Sequence, residues 1–576
     1  MCDNHPHHAQ PATDAVLVES ADRELAGFGT SRRLVLAAGA ALLGAAAWGT
    51  AQARPAHAKS LGYGAGAKRN DPKLTWLVGD HHVHTQYSHD AKYKITQQLD
   101  AARRYGVDWL AFTEHSNFGH ANNGGAVNSN REIAAQRASR DDILIFQGIE
   151  WYIPAAEPCS VLVVPGPNEV EVLRTFELVW DGKLNGWEKP RSAAEAARWE
   201  AKARQAIAWM GEQRRSGYIE DAVILANHPM RLGIDSPHEL RGWRDADPEI
   251  MIGMEGAPGA QGSGVGTNGG PGDQRGEYTN RPRPDSWPGY REDQYLTYGG
   301  FDWVTATVGG VWDSMLAEGK PFFITSNSDN HLTVRDTQRI GDYPQTEPYT
   351  SLDSEFEKWS VEGKRPDPVE TGVPQGGSDY WPGQFSRTHT GVTGRGYAEV
   401  LEAMRQGRMW VDHGHLIAGL DVRVKPAGFA GPGVTLGART AVNRGTDLEV
   451  SITVTTTDYA NAAGIVPNLA FLDIIGGPVT GPVADPDELR APQTRVLHTF
   501  NTSGRRGTFT LRHVFKDVQE SFYVRFRGGD GKRAGAGYHG SAIDPHGPQA
   551  HGNNPGDADP WADTWFYANP VLVEVR

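Results

Sequence analysis

The feature that most constrains this chain is a rhythm. From about residue 74 onward, helical stretches alternate with short apolar runs, and the runs stop at His or a carboxylate. Leu74 to Val78 stops at Gly79-Asp80-His81-His82-Val83-His84, and Val107 to Thr113 stops at Glu114-His115. Ile143 to Phe146 is followed by Glu150, Ala222 to Ala226 by Asn227-His228-Pro229, and Pro321 to Thr325 by Asn327-Ser328-Asp329-Asn330-His331. Between them, Lys94 to Tyr105, Arg131 to Arg140, Ala193 to Arg215 and Val311 to Glu318 read as helices, with Gly106 and Gly217 as stops. A parallel strand buried on both faces is continuously apolar, and a parallel β/α barrel gathers its strand ends on one face. Ligands spread from His82 to His331 can therefore meet at one point. A single histidine placed this way would be an ordinary hydrogen-bonded side chain; five recurrences at the same place in the unit point to a metal site.

In order, His82-Val83-His84-Thr85 with Ser88 and Asp90, Thr113-Glu114-His115, Gly148-Ile149-Glu150, Asn227-His228-Pro229 and Ser328-Asp329-Asn330-His331 resemble the motifs of the PHP family, the polymerase and histidinol phosphatase metallophosphoesterases. The resemblance covers about residues 74 to 335. It implies a distorted (β/α)7 barrel with two or three divalent ions at the strand ends: His82, His84, Glu150 and Asp329 on one, Asp90, His115 and His331 on a second, and Glu150 with His228 on a third. Glu150, Asp329 and His331 would carry catalysis. The sequence departs from the family between Ala246 and Ile250, which lack the usual His or Cys. Glu255 is the nearest replacement ligand, or else an acid behind the ligands. Glu114 is expected to orient a neighbouring ligand. His81 and His89 should point the other way.

Imidazole and carboxylate donors without thiolate suit Zn, Mn or Fe, and such ions activate water for hydrolysis. There is no Gly-x-Ser-x-Gly elbow and no P-loop. The leading expectation is a metal-dependent hydrolase of a small phosphate mono- or diester. The same cluster acting on another bond, or a metal-stabilised protein binding carbohydrate or a surface, are the alternatives; a catalytic ion keeps a position open where a structural one is closed. With 56 Lys+Arg against 70 Asp+Glu, the formal charge of −14 argues against binding nucleic-acid backbones, so an anionic substrate needs local cations. Arg231, Arg335 and Arg387 are candidates, each more simply a surface charge. His413 and His415 repeat the His-x-His spacing with nothing to complete a second site. The Gly/Pro-rich stretches Gly256 to Gly289 and Gln338 to Gly396 are expected as lids and walls, where Trp287, Tyr290, Tyr380 and Trp381 could line a groove or pack on the rim.

The first 58 residues read as an export leader. Arg32-Arg33 precede a short Ala/Leu/Gly-rich run and Ala51-Gln52-Ala53, a pattern similar to twin-arginine signals despite Val35 where an aromatic is usual. The mature protein is expected outside the cytoplasm, periplasmic or extracellular, with no membrane span. Residues 70–418 would form the barrel. After 419 the pattern turns to period-two strands, such as Leu448 to Val454 and Thr508 to Val514, without helices, which predicts an all-β sandwich over 419–576.

Overall fold

The computed structural model describes residues 74–88, 90–116, 124–257, 259, 282–331, 334, 363–365, 367–368, 379–550 and 559–576. The export leader, His89 and Arg335 lie outside the described residues. Residues 71–576 form one compact unit.

The expected alternation is present. Strand β1 (Thr75–Val83) leads to α1 (Ile95–Arg104), β2 (Trp109–His115), α2 (Gly124–Ser139) and β3 (Leu144–Trp151). Then come β4 (Cys159–Val163), α3 (Glu169–Trp180), α4 (Ala193–Arg215), β5 (Ala222–Ala226), α5 (Pro237–Ala246), β6 (Met251–Ala257), α6 (Val311–Ala317) and β7 (Phe323–Ser326). Local chemistry sets the helix starts. The Ser192 hydroxyl accepts from the Glu195 N–H at the head of α4, and Ser236 and Glu239 form a reciprocal capping box ahead of Pro237 in α5.

β1, β2 and β3 are parallel neighbours, as are β5, β6 and β7. β4 lies antiparallel to both β3 and β5 and is not foreseen by the sequence, because a short, mostly apolar run looks the same in either direction. The ladder does not close as a ring. Beyond β7 the chain meets the end of β1 through an isolated parallel bridge, with the His84 N–H on the Asn330 carbonyl at 3.1 Å and the Asp329 N–H on the His82 carbonyl at 3.0 Å. This near-closure draws Asp329 and His331 to the histidines of β1.

The stretch expected as a lid contributes instead to the sheet. β8 (Ser386–Val392) runs antiparallel to β1; its alternating β-branched residues give it strand character that the surrounding glycines mask. Tyr380 and Trp381 are buried, and Tyr380 donates to the Gly259 carbonyl at 3.0 Å, so both pack on the rim. After α7 (Tyr397–Arg405) come β9 (Met409–His413), β10 (Ile417–Pro426), β11 (Arg439–Val442), β12 (Thr446–Thr456), β13 (Phe471–Pro478), β14 (Arg495–Asn501), β15 (Thr508–Val518), β16 (Phe522–Gly529) and β17 (Trp565–Val575). The ladder continues through β8, β9, β17, β16, β13 and β14 without a break, across the boundary expected at residue 419. A second sheet, β10-β12-β15, closes a sandwich: Leu448, Val450, Ile452 and Val454 bury their alternate face with Leu472, Val524, Phe526, Phe566 and Val571.

Buried ion pairs fasten the parts. Arg387, which is no surface charge, binds Asp412 across β8 and β9 at 2.9 and 2.6 Å. Arg525 of β16 reaches Asp313 of α6 through two bonds of 2.7 Å, with both side chains fully buried. Asp313→Ala strands the guanidinium, and the expected cost is about 3–5 kcal/mol of stability in denaturant melts.

His389 and His415 flank the Arg387–Asp412 pair. His389 stacks on Trp410 with Nε2 3.0 Å from Asp412, and His415 meets the Gly383 carbonyl and the Tyr459 hydroxyl. Burial first, then the Arg387 charge, holds His389 down to about 4 and His415 to about 3. The unfolded chain, with ordinary histidines near 6.5, binds more protons below that pH, so both groups favour the fold above about 6.5 and lose that contribution as pH falls toward about 4. The urea midpoint should fall across this window, and less steeply in His389→Gln.

Candidate metal centre

Each strand end delivers its side chains to one buried cluster. His82 near the end of β1 and His84 just past it, two residues apart in extended chain, project together, and with Glu150 from β3 and Asp329 after β7 they form a tight set. The His82 Nε2 lies 3.0 Å from the His84 Nε2, 3.1 Å from the Asp329 Oδ1 and 3.3 Å from the Glu150 Oε1. The His84 Nε2 lies 3.4 Å from the Glu150 Oε2 and 3.5 Å from the Asp329 Oδ1. Bonds of about 2.1 Å to a shared ion at tetrahedral or octahedral angles put ligand atoms roughly 3.0–3.4 Å apart, so these four donors fit one divalent cation.

Glu150 has two faces. Its Oε1 lies 3.3 Å from the His228 Nε2, and its Oε2 lies 2.8 Å from the His115 Nδ1. His115 continues to Asp90 at 3.1 Å, and the His331 Nε2 stands 3.7 Å from the same carboxylate. Donor atoms of His84, His115 and His331 lie within 4.8 Å of one another, as do those of His82, His84 and Glu150. The residues read from the sequence as ligands thus lie together, with one correction of place.

That correction concerns Glu255, which lies behind the cluster. Its Oε1 is 2.7 Å from the His82 Nδ1, and its Oε2 accepts the His228 N–H at 2.7 Å. With both oxygens engaged on the far side of the imidazole, it fixes His82 with Nε2 inward and is not a ligand in this arrangement. The other imidazoles are held similarly. Glu114 accepts from the Thr85 and Ser88 hydroxyls at 2.5 and 2.6 Å, leaving the Ser88 oxygen to receive the His84 Nδ1–H at 2.9 Å. His331 gives its Nδ1–H to the Asp329 carbonyl at 2.8 Å. Such partners select the tautomer whose Nε2 lone pair faces an ion. His81 turns away to the Thr325 hydroxyl at 2.8 Å.

Neighbouring charges outweigh burial in this cluster. Burial opposes charge on Glu150, yet His82 and His115 hold its carboxyl well below the usual carboxylate range. Burial likewise opposes a cation at His115, and Asp90 with Glu150 carries it up to about 10. His228 and Asp329 both have positive φ, 28° and 46°, a strained conformation for residues other than glycine that recurs at functional sites. Gly148 is required by space: a Cβ there would lie 2.3 Å from the Val161 carbonyl oxygen.

Several contributors carried no motif signal strong enough to assign. Asn227 donates to the Glu150 Oε1 at 3.0 Å. Tyr152, two residues past Glu150, places its hydroxyl 2.9 Å from the His115 Nδ1 and stacks on that ring at 10°. Glu157 stands 3.5 Å from the His228 Nδ1 and 3.4 Å from Arg231. His413 stacks on Phe301 and Phe385, and His415 bonds locally, so neither joins the centre.

The family model of the PHP domain matches residues 80–223. The match spans the strands bearing His82, His84, His115 and Glu150; His228, Glu255, Asp329 and His331 lie beyond it. Among solved structures, a two-domain protein containing a predicted PHP-like metal-dependent phosphoesterase from Bacteroides vulgatus aligns at 15% identity over 80% of this chain and 95% of that chain, with a TM-score of 0.29. No curated protein matches the chain.

Glu255→Gln removes the anionic acceptor behind His82. Metal affinity, measured by competition with a chelating dye, should drop about 10- to 100-fold without loss of fold.

Proposed function

We propose that this protein is a metal-dependent phosphoesterase that hydrolyses a small phosphate ester with activated water. The observation that carries the reading is the four-donor set of His82, His84, Glu150 and Asp329, spaced 3.0–3.5 Å apart, with Glu150 facing further imidazoles from both oxygens. We assign His82, His84, Glu150 and Asp329 to one ion and Asp90, His115 and His331 to a second, with Glu150 and His228 available to a third. Zn, Mn or Fe suits these donors. Divalent ions held there would supply an acidified water near neutral pH and neutralise charge on phosphoryl oxygens.

The chain's own groups support water as the nucleophile. The Ser88 hydroxyl is committed to Glu114 and the Ser116 hydroxyl to Asp181. Cys159 is buried in β4, and burial pushes its thiol well up, away from the reactive thiolate. Glu114 and Glu255 keep the imidazoles oriented, and Tyr152 buttresses His115. Among the described residues, no helix is long and apolar enough to cross a membrane; with the leader read from the sequence, we place the enzyme outside the cytoplasm.

Purified protein loaded with Mn or Zn should hydrolyse an aryl phosphate ester, lose activity on chelation and regain it on metal return. Glu150→Gln and His84→Ala should each lower kcat by more than roughly 100-fold, beyond the effect of a residue that only orients a ligand. Metal-dependent turnover of a carboxylic ester or amide, with none of a phosphate mono- or diester, would overturn the assignment in favour of another bond.

A further inference from the structure

A protein with formal charge −14 that handles a phosphate ester needs fixed cations beside the ions, and the fold supplies two at the mouth of the centre. The first is built onto the ligand-bearing strands. Ser116, which follows His115, donates its N–H to the Glu150 carbonyl at 2.9 Å, and its hydroxyl bonds Asp181. Asp181 caps the short turn Gly182–Asn185 by accepting the Leu184 N–H at 2.6 Å. The Gly182 N–H bonds the Tyr152 carbonyl at 2.7 Å, and a Cβ at Gly182 would sit 2.9 Å from the Ile153 carbonyl oxygen. Only glycine lets this turn lie so close to the end of β3.

The residue so positioned is Lys183, whose Nζ stands 3.6 Å from the centroid of the Tyr152 ring. That ring is itself stacked on His115, 5.4 Å between centroids. A cation over the face of an aromatic is held there electrostatically.

The second cation rises from the turn after β5. The Arg231 N–H closes that turn on the His228 carbonyl at 2.7 Å, and its guanidinium shares Glu157 with the His228 imidazole. Its side chain is 34% exposed. Burial pulls the Lys183 ammonium below its usual range against the charges of Glu188 and Asp181, and Glu157 with Glu150 holds the Arg231 guanidinium up against burial. Lys183 thus lies by the Tyr152–His115 ring pair and Arg231 by the Glu157–His228 pair.

We propose that Lys183 and Arg231 form a cationic clamp that receives the terminal oxygens of a phosphate monoester and favours it over a diester. The inference rests on the proposed phosphoesterase reading and deepens it to a substrate class. A monoester's terminal group carries about two negative charges near neutral pH, with a second pKa of about 6, and a diester carries one. A guanidinium fork and an ammonium donate charge-assisted hydrogen bonds to such oxygens.

The test uses the metal-loaded full chain and two readouts: calorimetric binding of inorganic phosphate, and KM for an aryl phosphate monoester against its methyl diester. Lys183→Gln and Arg231→Gln should each weaken phosphate binding and raise the monoester KM about 10- to 100-fold, move the diester KM far less, and leave metal content unchanged, while Lys183→Arg should retain most binding. The clamp is overturned by a wild type that does not bind phosphate, by unchanged binding in both Gln variants, by equal effects on the two esters, or by loss of metal together with phosphate. Phosphate binding that depends on Lys183 in a protein turning over no ester would leave the clamp standing and refute the phosphoesterase reading.

Discussion

A buried carboxylate with imidazoles on both sides is the interaction on which this molecule depends. Glu150 is 1% exposed and stands within 3.4 Å of His82, His84, His115 and His228. Placing that much charge out of water is costly unless each group is matched. The fold meets the cost by fixing every member from behind. Glu255 holds His82, Ser88 relays Glu114 to His84, the Asp329 carbonyl holds His331, and Asn227 donates to Glu150 itself. Removing any one of these supports leaves ligand identity unchanged and ligand direction undefined.

The surrounding architecture serves the same end. Strands β1, β2, β3, β5 and β7 bring their ends together because they are parallel, and the bridge between Val83 and Asn330 brings the last pair of ligands to the first. The β-rich part is continuous with this sheet through β8 and β9, and its own ion pairs, Arg525 with Asp313 and Arg527 with Asp473 and Asp544, are buried. The same economy appears at the mouth, where Asp181 and Gly182 bolt the turn carrying Lys183 to the strand that carries Glu150.

Much of this was legible before any coordinates. The helices 193–215 and 311–317 and the strand 222–226 follow from composition and punctuation, and the candidate ligands follow from where apolar runs stop. Other features were not. β4 carries no sign of its direction. β8 hides in a Gly-rich stretch, and Arg387 shows in one dimension no trace of its partner Asp412, which is 25 positions away. Glu255 looked like either a ligand or a supporting acid, and only the direction of its oxygens distinguishes the two.

The sequence by itself determined which residues can bind a cation, the order in which strands present them, and the alternation that makes the C-terminal third a sandwich. These are properties of neighbours along the chain: donor type, period and stop. The tertiary structure decided which donors share one ion-sized space, which acid stands behind which imidazole, and that Lys183 lies on the Tyr152 ring beside His115 and Arg231 on Glu157 beside His228. Those outcomes depend on strand pairing between distant segments, and a distance across a sheet is written in no single stretch of sequence.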